Sequence, residues 1–245
     1  MMLRYLHEWG SPPVFYQRAG RWQRVLWTLA ALLILAGLWG GLVLAPADYE
    51  QGQVYRIIYI HVPAAWVAMF AYVVMAVTGA IGLIWRLKVA EVITSAGART
   101  GASFTILALA TGAIWGQPTW GTWWVWDARL TSVLVLLFLY LGFIALENAI
   151  EDRRNAARAC AILALVGLVN IPIIHFSVYW WNTLHQGPTV ARLSAPAIHI
   201  TMLVPLLLMA LGSMLFYAGA LLSWGRALML ERERSSRWAA REAGV

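Results

Sequence analysis

Tryptophan, histidine and arginine are the residues whose types and spacing could do chemistry in this chain. From Trp115 to Thr131 it reads WGQPTWGTWWVWDARLT, with Trp115, Trp120, Trp123, Trp124 and Trp126 falling within twelve residues and Asp127 and Arg129 closing the run. That one stretch holds a third of the 15 tryptophans. An aromatic belt at a membrane surface spreads its rings over many helix ends, so this concentration points instead to a platform for a large flat ligand or for a partner surface. Asp127 stands directly before an apolar run, where a carboxylate is expected to cap the helix and complement its dipole.

Four of the five histidines, His61, His175, His185 and His199, fall near the ends of apolar runs on the same side as the tryptophans, whereas His7 lies in the N-terminal segment. Ionisable groups in such places are functional candidates. His61 sits in YIHVPAAW, two residues before Pro63, which reads as a first-turn proline fixing a rigid helix start. His185 sits in WWNTLHQGPT, beside Trp180 and Trp181 and before the Gly187-Pro188 turn. His175 and His199 read equally well as packing groups. Neutral imidazole ligates zinc, copper and iron alike. Zinc ordinarily also takes carboxylates, thiolates or a third histidine, and this side offers only Asp48, Glu50 and Asp127. The lone Cys160 excludes an internal disulfide, a CxxC pair and a CxxCH attachment motif. Two separated histidines bracketing an aromatic platform suit a planar iron porphyrin, one imidazole to each face. Arg56, Arg129 and Arg192 supply forked cations for two propionates, although an arginine at a membrane edge also snorkels to lipid phosphate. No nucleophile–base pair is present, so no catalytic residue is assigned.

The elements that must position these groups are membrane helices. Of 245 residues, 61% are apolar and 12% charged, which places the chain in the all-α, polytopic membrane class. Six spans are expected at about 25–44, 58–84, 101–116, 130–147, 160–180 and 197–224, forming a single integral membrane domain across 1–245 with no room for a soluble one. The net charge of +7 reads as topology and not as nucleic-acid binding, because all but three of the 18 lysines and arginines fall on one side of that arrangement. The positive-inside rule then puts both termini in the cytoplasm and the Trp-rich segment 115–131 outside. Ala45-Pro46-Ala47 looks like a signal-peptidase site, but the apolar run before it exceeds the roughly 7–15 residues of a cleavable region. Pro12-Pro13 reads as a break ahead of the first span. Pro172 and Pro205 read as kinks in the fifth and sixth spans, and the charged tail as a helical extension or a frayed end. Polar residues collect at the outer edge, with Thr111 and Asn170 as mild exceptions inside.

Three separated segments, WGQPTWGTWWVWDARLT, YIHVPAAW and VNIPIIHFSVYWWNTLHQGPT, resemble in order and spacing the CcmC-type haem-handling proteins of cytochrome c maturation, members of the tryptophan-rich WWD group. The resemblance covers nearly the whole chain. It implies a bacterial inner-membrane protein, its functional face periplasmic, that holds haem b non-covalently and presents it for covalent attachment to a membrane-tethered haem chaperone. It further implies His61 and His185 as the axial ligands and the Trp-rich stretch as the presenting surface. The implied partners are the chaperone, a small single-span subunit, the membrane and ATPase subunits of an ABC transporter, and the lipid bilayer. His175 does not match a family ligand. Such a protein is an assembly factor and not a conventional enzyme; the other readings are a haem transporter or exporter subunit and a b-type electron-transfer cytochrome.

Overall fold

The computed structural model describes residues 10–187, 190 and 195–244; His7 and Arg192, both named above, lie outside them. Helix α1 spans Pro12–Trp39 and closes in a π-turn over Gly40–Leu44. A 3₁₀ turn at Gln53–Ile57 leads into α2, Ile58–Trp85. Then come α3, Lys88–Trp120, and α4, Ala128–Ala149. The chain continues through α5, Arg153–Gly167, α6, Asn170–Trp180, α7, Ile200–Arg232, and a short α8, Arg237–Ala243. No named strand occurs among the described residues. Taking α5 and α6 together, six helical stretches are long and apolar enough to cross a membrane.

Several helices run beyond the expected apolar windows. Pro12-Pro13 does not break the chain; the two prolines occupy the first positions of α1, after Ser11 in extended conformation, where their missing N–H costs nothing. The expected 85–100 connection shrinks to Arg86 and Leu87, with Arg86 in the left-handed region (φ 54°) closing α2. Pro63 lies a full turn inside α2, because the 3₁₀ turn carries the helical path back to Gln53. His61 is therefore gripped by helical backbone on both sides. Pro172 acts as expected: the fifth span breaks at Leu168–Val169, and the carbonyl of Leu168 instead accepts from Ile171 (3.1 Å). By contrast α7 is one continuous helix through Pro205.

Helix α2 is the centre of the bundle. Its Ala64, Ala68, Ala71 and Ala76 let α3 and α5 approach closely; Tyr72 is fully buried against Tyr140 of α4 and Leu163 of α5, and Met75 is fully buried facing Gly97 of α3. Tyr140 of α4 donates to the Ala68 carbonyl at 2.7 Å, which satisfies its hydroxyl where no water is available. Helices α1 and α7 pair antiparallel through small residues, Gly37 facing Met209 and Gly212 facing Ile34. Tyr16 meets Trp238 of α8 at a ring separation of 5.6 Å, so the two ends of the described chain come together at one end of the bundle.

Candidate functional site

The functional candidates gather at the other end, around a cavity of about 140 Å³. Three elements aim side chains into it at helical spacing. Helix α2 contributes His61, Ala65 and Met69, with Trp66 beside them. The outer end of α3 contributes Ala108, Gly112, Trp115 and Thr119, and the first turns of α4 contribute Arg129 and Val133. Trp120 at the end of α3 and the segments after α3 and α6, with Trp124, His185 and Gln186, close it.

His61 and His185 face each other across this space, their ring centroids 6.2 Å apart and their planes 31° from parallel. Each ring is oriented through Nδ1. The Thr111 hydroxyl donates to the Leu107 carbonyl (2.6 Å) and so presents its oxygen to His61 Nδ1 at 3.1 Å as an acceptor. His61 Nδ1 therefore carries the proton, and Nε2 keeps a free lone pair. His185 Nδ1 lies 3.2 Å from the Gln186 carbonyl, which can only accept, and 3.4 Å from Arg129 Nη1, which can only donate, opposed contacts that position the ring through Nδ1 without fixing its tautomer. Burial, then the Arg129 guanidinium 3.4 Å away, push the His185 pKa down, so the ring is neutral at physiological pH. Fixing a ligating imidazole through its other nitrogen is how protein metal sites are built. Two metal–imidazole bonds of about 2 Å each, with half a ring at either end, give a centroid separation of roughly 6 Å.

The surrounding rings hold these two in place. Trp115 meets His61 edge-on at 5.6 Å and donates to Gln51 Oε1 at 2.7 Å, while Trp120 meets His185 at 6.0 Å. Gly112 lets the ring sit close: a Cβ there would lie 3.0 Å from His61 Cε1 and push the imidazole aside by a few tenths of an ångström. Two donors that border the cavity, Trp124 Nε1 and Arg129 Nε, are buried without a hydrogen-bond partner. Native structures seldom leave such groups unpaired, and an acidic ligand edge would satisfy them.

The remaining predicted residues fall around the cavity and not on it. Trp123 and Trp126 are exposed (61% and 76%), with Trp126 edge-on to Trp124 at 5.4 Å. Arg56 donates to the carbonyls of Gly41 (2.6 Å) and Ala45 (2.8 Å) and to Gln53, tying the end of α1 to the base of α2. Asp127 caps α4, accepting from Leu130 N at 2.8 Å, and its second oxygen accepts from the Thr183 hydroxyl, which in turn accepts from His185 N at 3.1 Å. One carboxylate thus fixes both the start of α4 and the loop that carries His185. Asp127→Ala is expected to cost about 1 kcal/mol of stability, seen as a lower Tm in detergent. His175 packs edge-on against Phe176 at 4.8 Å, and His199 caps α7, accepting from Thr201 N.

Sequence reasoning missed Gln51, Trp66, Met69 and Gly112. Met69 stands two turns beyond His61 on one helix face, a legible signal, whereas Gln51 and Gly112 show theirs only in three dimensions. Larger voids exist elsewhere. One of about 410 Å³ at the opposite end is lined by charges already paired with one another, Arg99 with Glu147 (3.2 Å) and Arg153 with Glu231 (3.3 Å).

Comparison with known proteins gives a consistent answer. The family model described as heme exporter protein C, CcmC, matches residues 5–240. Heme exporter protein C of Escherichia coli K12 is 50% identical over 238 residues, 97% of this chain and 96% of that protein. The Bradyrhizobium diazoefficiens protein of the same name is 49% identical over 216 residues, covering 86% and 82%. A Marchantia polymorpha mitochondrial protein, named as ccmC-like and for cytochrome c biosynthesis, is 45% identical over 182 residues, covering 74% and 75%.

Proposed function

The chain belongs to the heme exporter protein C (CcmC) family, and from that premise we propose that it holds haem between His61 and His185 at the outer face of the membrane and presents it to a membrane-tethered chaperone. It is a multi-pass inner-membrane protein that handles haem in cytochrome c maturation. Haem is its cargo. The observation that carries the finer reading is the facing pair of imidazoles, each positioned through Nδ1. Among the described residues no group of three or more His, Cys, Asp or Glu could hold a metal ion. A bare ion would therefore find two protein ligands here, whereas a porphyrin brings its own four in-plane donors and needs two.

Presentation, as opposed to storage, is supported by size and exposure. A cavity of about 140 Å³ is smaller than the roughly 300–1,000 Å³ that encloses a ligand. A macrocycle held by these imidazoles keeps an uncovered edge; Trp123 and Trp126 are exposed, and Trp126 packs edge-on against Trp124, which lines the cavity. The unpartnered Nε of Arg129 and Nε1 of Trp124 suit a propionate. The chain's own part is then to bind, orient and exclude water, while a chaperone side chain bonds to the exposed edge. A conduit through the bilayer is less well supported, because the buried Thr100, Thr105 and Asn170 each donate to a backbone carbonyl and line neither this cavity nor the larger one at the opposite end. The ABC transporter subunits, a small single-span subunit and cytoplasmic termini complete the proposed assembly.

The test separates holding from presenting. In cells expressing the tethered chaperone and transporter subunits, Trp123→Ala/Trp126→Ala is expected to leave haem on the purified chain while covalent loading of the chaperone falls about tenfold, as for the loss of an aromatic hot spot. Equal losses of both, or no loss of loading, would remove the presenting role from these rings.

A further inference from the structure

A second built feature lies at the end of the bundle where the two ends of the described chain meet. Some twenty residues of α1, roughly 30 Å of helix, separate it from Gly41, which packs on Tyr59 near His61. At Gly20 a Cβ would lie 2.9 Å from Cζ of Arg226, so the glycine is what lets that guanidinium cross beneath α1. The cation rests over the ring of Tyr16, 4.2 Å from its centroid, and its Nε is buried with no hydrogen-bond partner. Arg21 and Arg24 line the same cleft of about 460 Å³, in which Glu242 is the one carboxylate among the described lining residues. Three guanidinium groups brought together against one carboxylate repel each other unless an anion joins them. The positive-inside rule accounts for arginines at this end of the molecule, but not for one threaded under a glycine and left with an open donor.

The flanking residues identify the anion. Trp22 of α1 and Trp224 of α7 are exposed (55% and 48%), each within two residues of a cleft arginine, and exposed tryptophans mark the headgroup layer of a bilayer. Farther along α1, Leu29, Leu32 and Leu35 are exposed apolar side chains at acyl-chain depth. We propose that this cleft binds the phosphate of an anionic phospholipid headgroup, with the acyl chains running down α1. Forked guanidinium groups are suited to phosphate, and basic pockets between membrane helices take such headgroups.

Native mass spectrometry of the delipidated full chain, titrated with phosphatidylglycerol or phosphatidylcholine, tests this. Wild type is expected to retain phosphatidylglycerol preferentially. Arg21→Gln and Arg226→Gln are each expected to lower its occupancy about tenfold, as for the loss of a charge-assisted hydrogen bond. Arg21 is exposed, so its variant probes the site without disturbing helix packing. Arg154→Gln, which removes a charge from an exposed position at the same end, is expected to change nothing. Equal retention by wild type and Arg21→Gln, or equal retention of the two lipids, overturns the proposal. Displacement of the lipid by millimolar inorganic phosphate overturns the lipid assignment in favour of a soluble phosphate.

Discussion

Purified from membranes, the His61→Ala and His185→Ala variants are each expected to carry less than about a tenth of the wild-type haem, any remainder being high-spin. The size follows from what is lost. Removing only the hydrogen-bond partner of a ligating histidine costs about 10–100-fold in affinity, so removing the ligating nitrogen costs at least that. The Trp rings and Arg129 can still contact a porphyrin, but neither supplies a ligand to iron. Optical spectra of the three purified proteins, normalised to chain concentration, decide the matter. Unchanged spectra in both variants would mean that the facing imidazoles serve something other than haem.

The second large effect belongs to a residue that does not touch the cargo. Thr111→Val keeps the side chain's shape but removes the oxygen that receives the His61 Nδ1 proton. A buried N–H is left unpaired, at about 1–3 kcal/mol, and the ring loses its preferred tautomer and orientation. Haem affinity, measured by titrating the haem-free chain, is expected to fall about 10–100-fold. Thr111→Ser restores the hydroxyl and should bind close to wild type. If Val and Ser behave alike, the contact is packing and the orientation argument fails. Helix stability separates the two cases, since the Leu107 carbonyl that Thr111 also contacts belongs to the regular ladder of α3.

Much of this was legible in the chain, and what was not has physical causes. Apolar run length sees only the part of a helix at bilayer depth, so it found six spans but lost the extensions. The stretch from Lys88 to Thr100 is helical because it is rich in alanine and meets α2 and α7, neither of which hydropathy records. The Trp-rich run looked like one connection. It is two structures joined at Gly121, whose φ of 76° ends α3 and turns the chain. Trp115 and Trp120 thereby become helix-end residues facing the histidines, and Trp123 and Trp126 become surface. Spacing within a twelve-residue run could not separate these roles, because the turn that separates them is a single backbone dihedral. Thr111 was visible only as a polar exception, as its partner stands 50 residues away in sequence. Arg56 and Arg129 looked alike by composition, yet one is spent on the carbonyls at the end of α1 and the other borders the cavity with a free donor.

The cavity's walls come from Gln51 at one extreme and Gln186 at the other, and this has a consequence in time. His61 leaves the ribosome about 120 residues before His185, which at roughly 5–20 residues per second is an interval on the order of 6–24 seconds. By its end the first helices carry one imidazole and most of the tryptophans, but not yet the opposing histidine. With haem held as proposed, a chain that has not yet made His185 lacks one of the two imidazoles, so the cargo is no template for the early helices. On that reading competence comes late, with the segment after α6 that carries His185, so quality control of this protein amounts to whether its last third has been made and inserted.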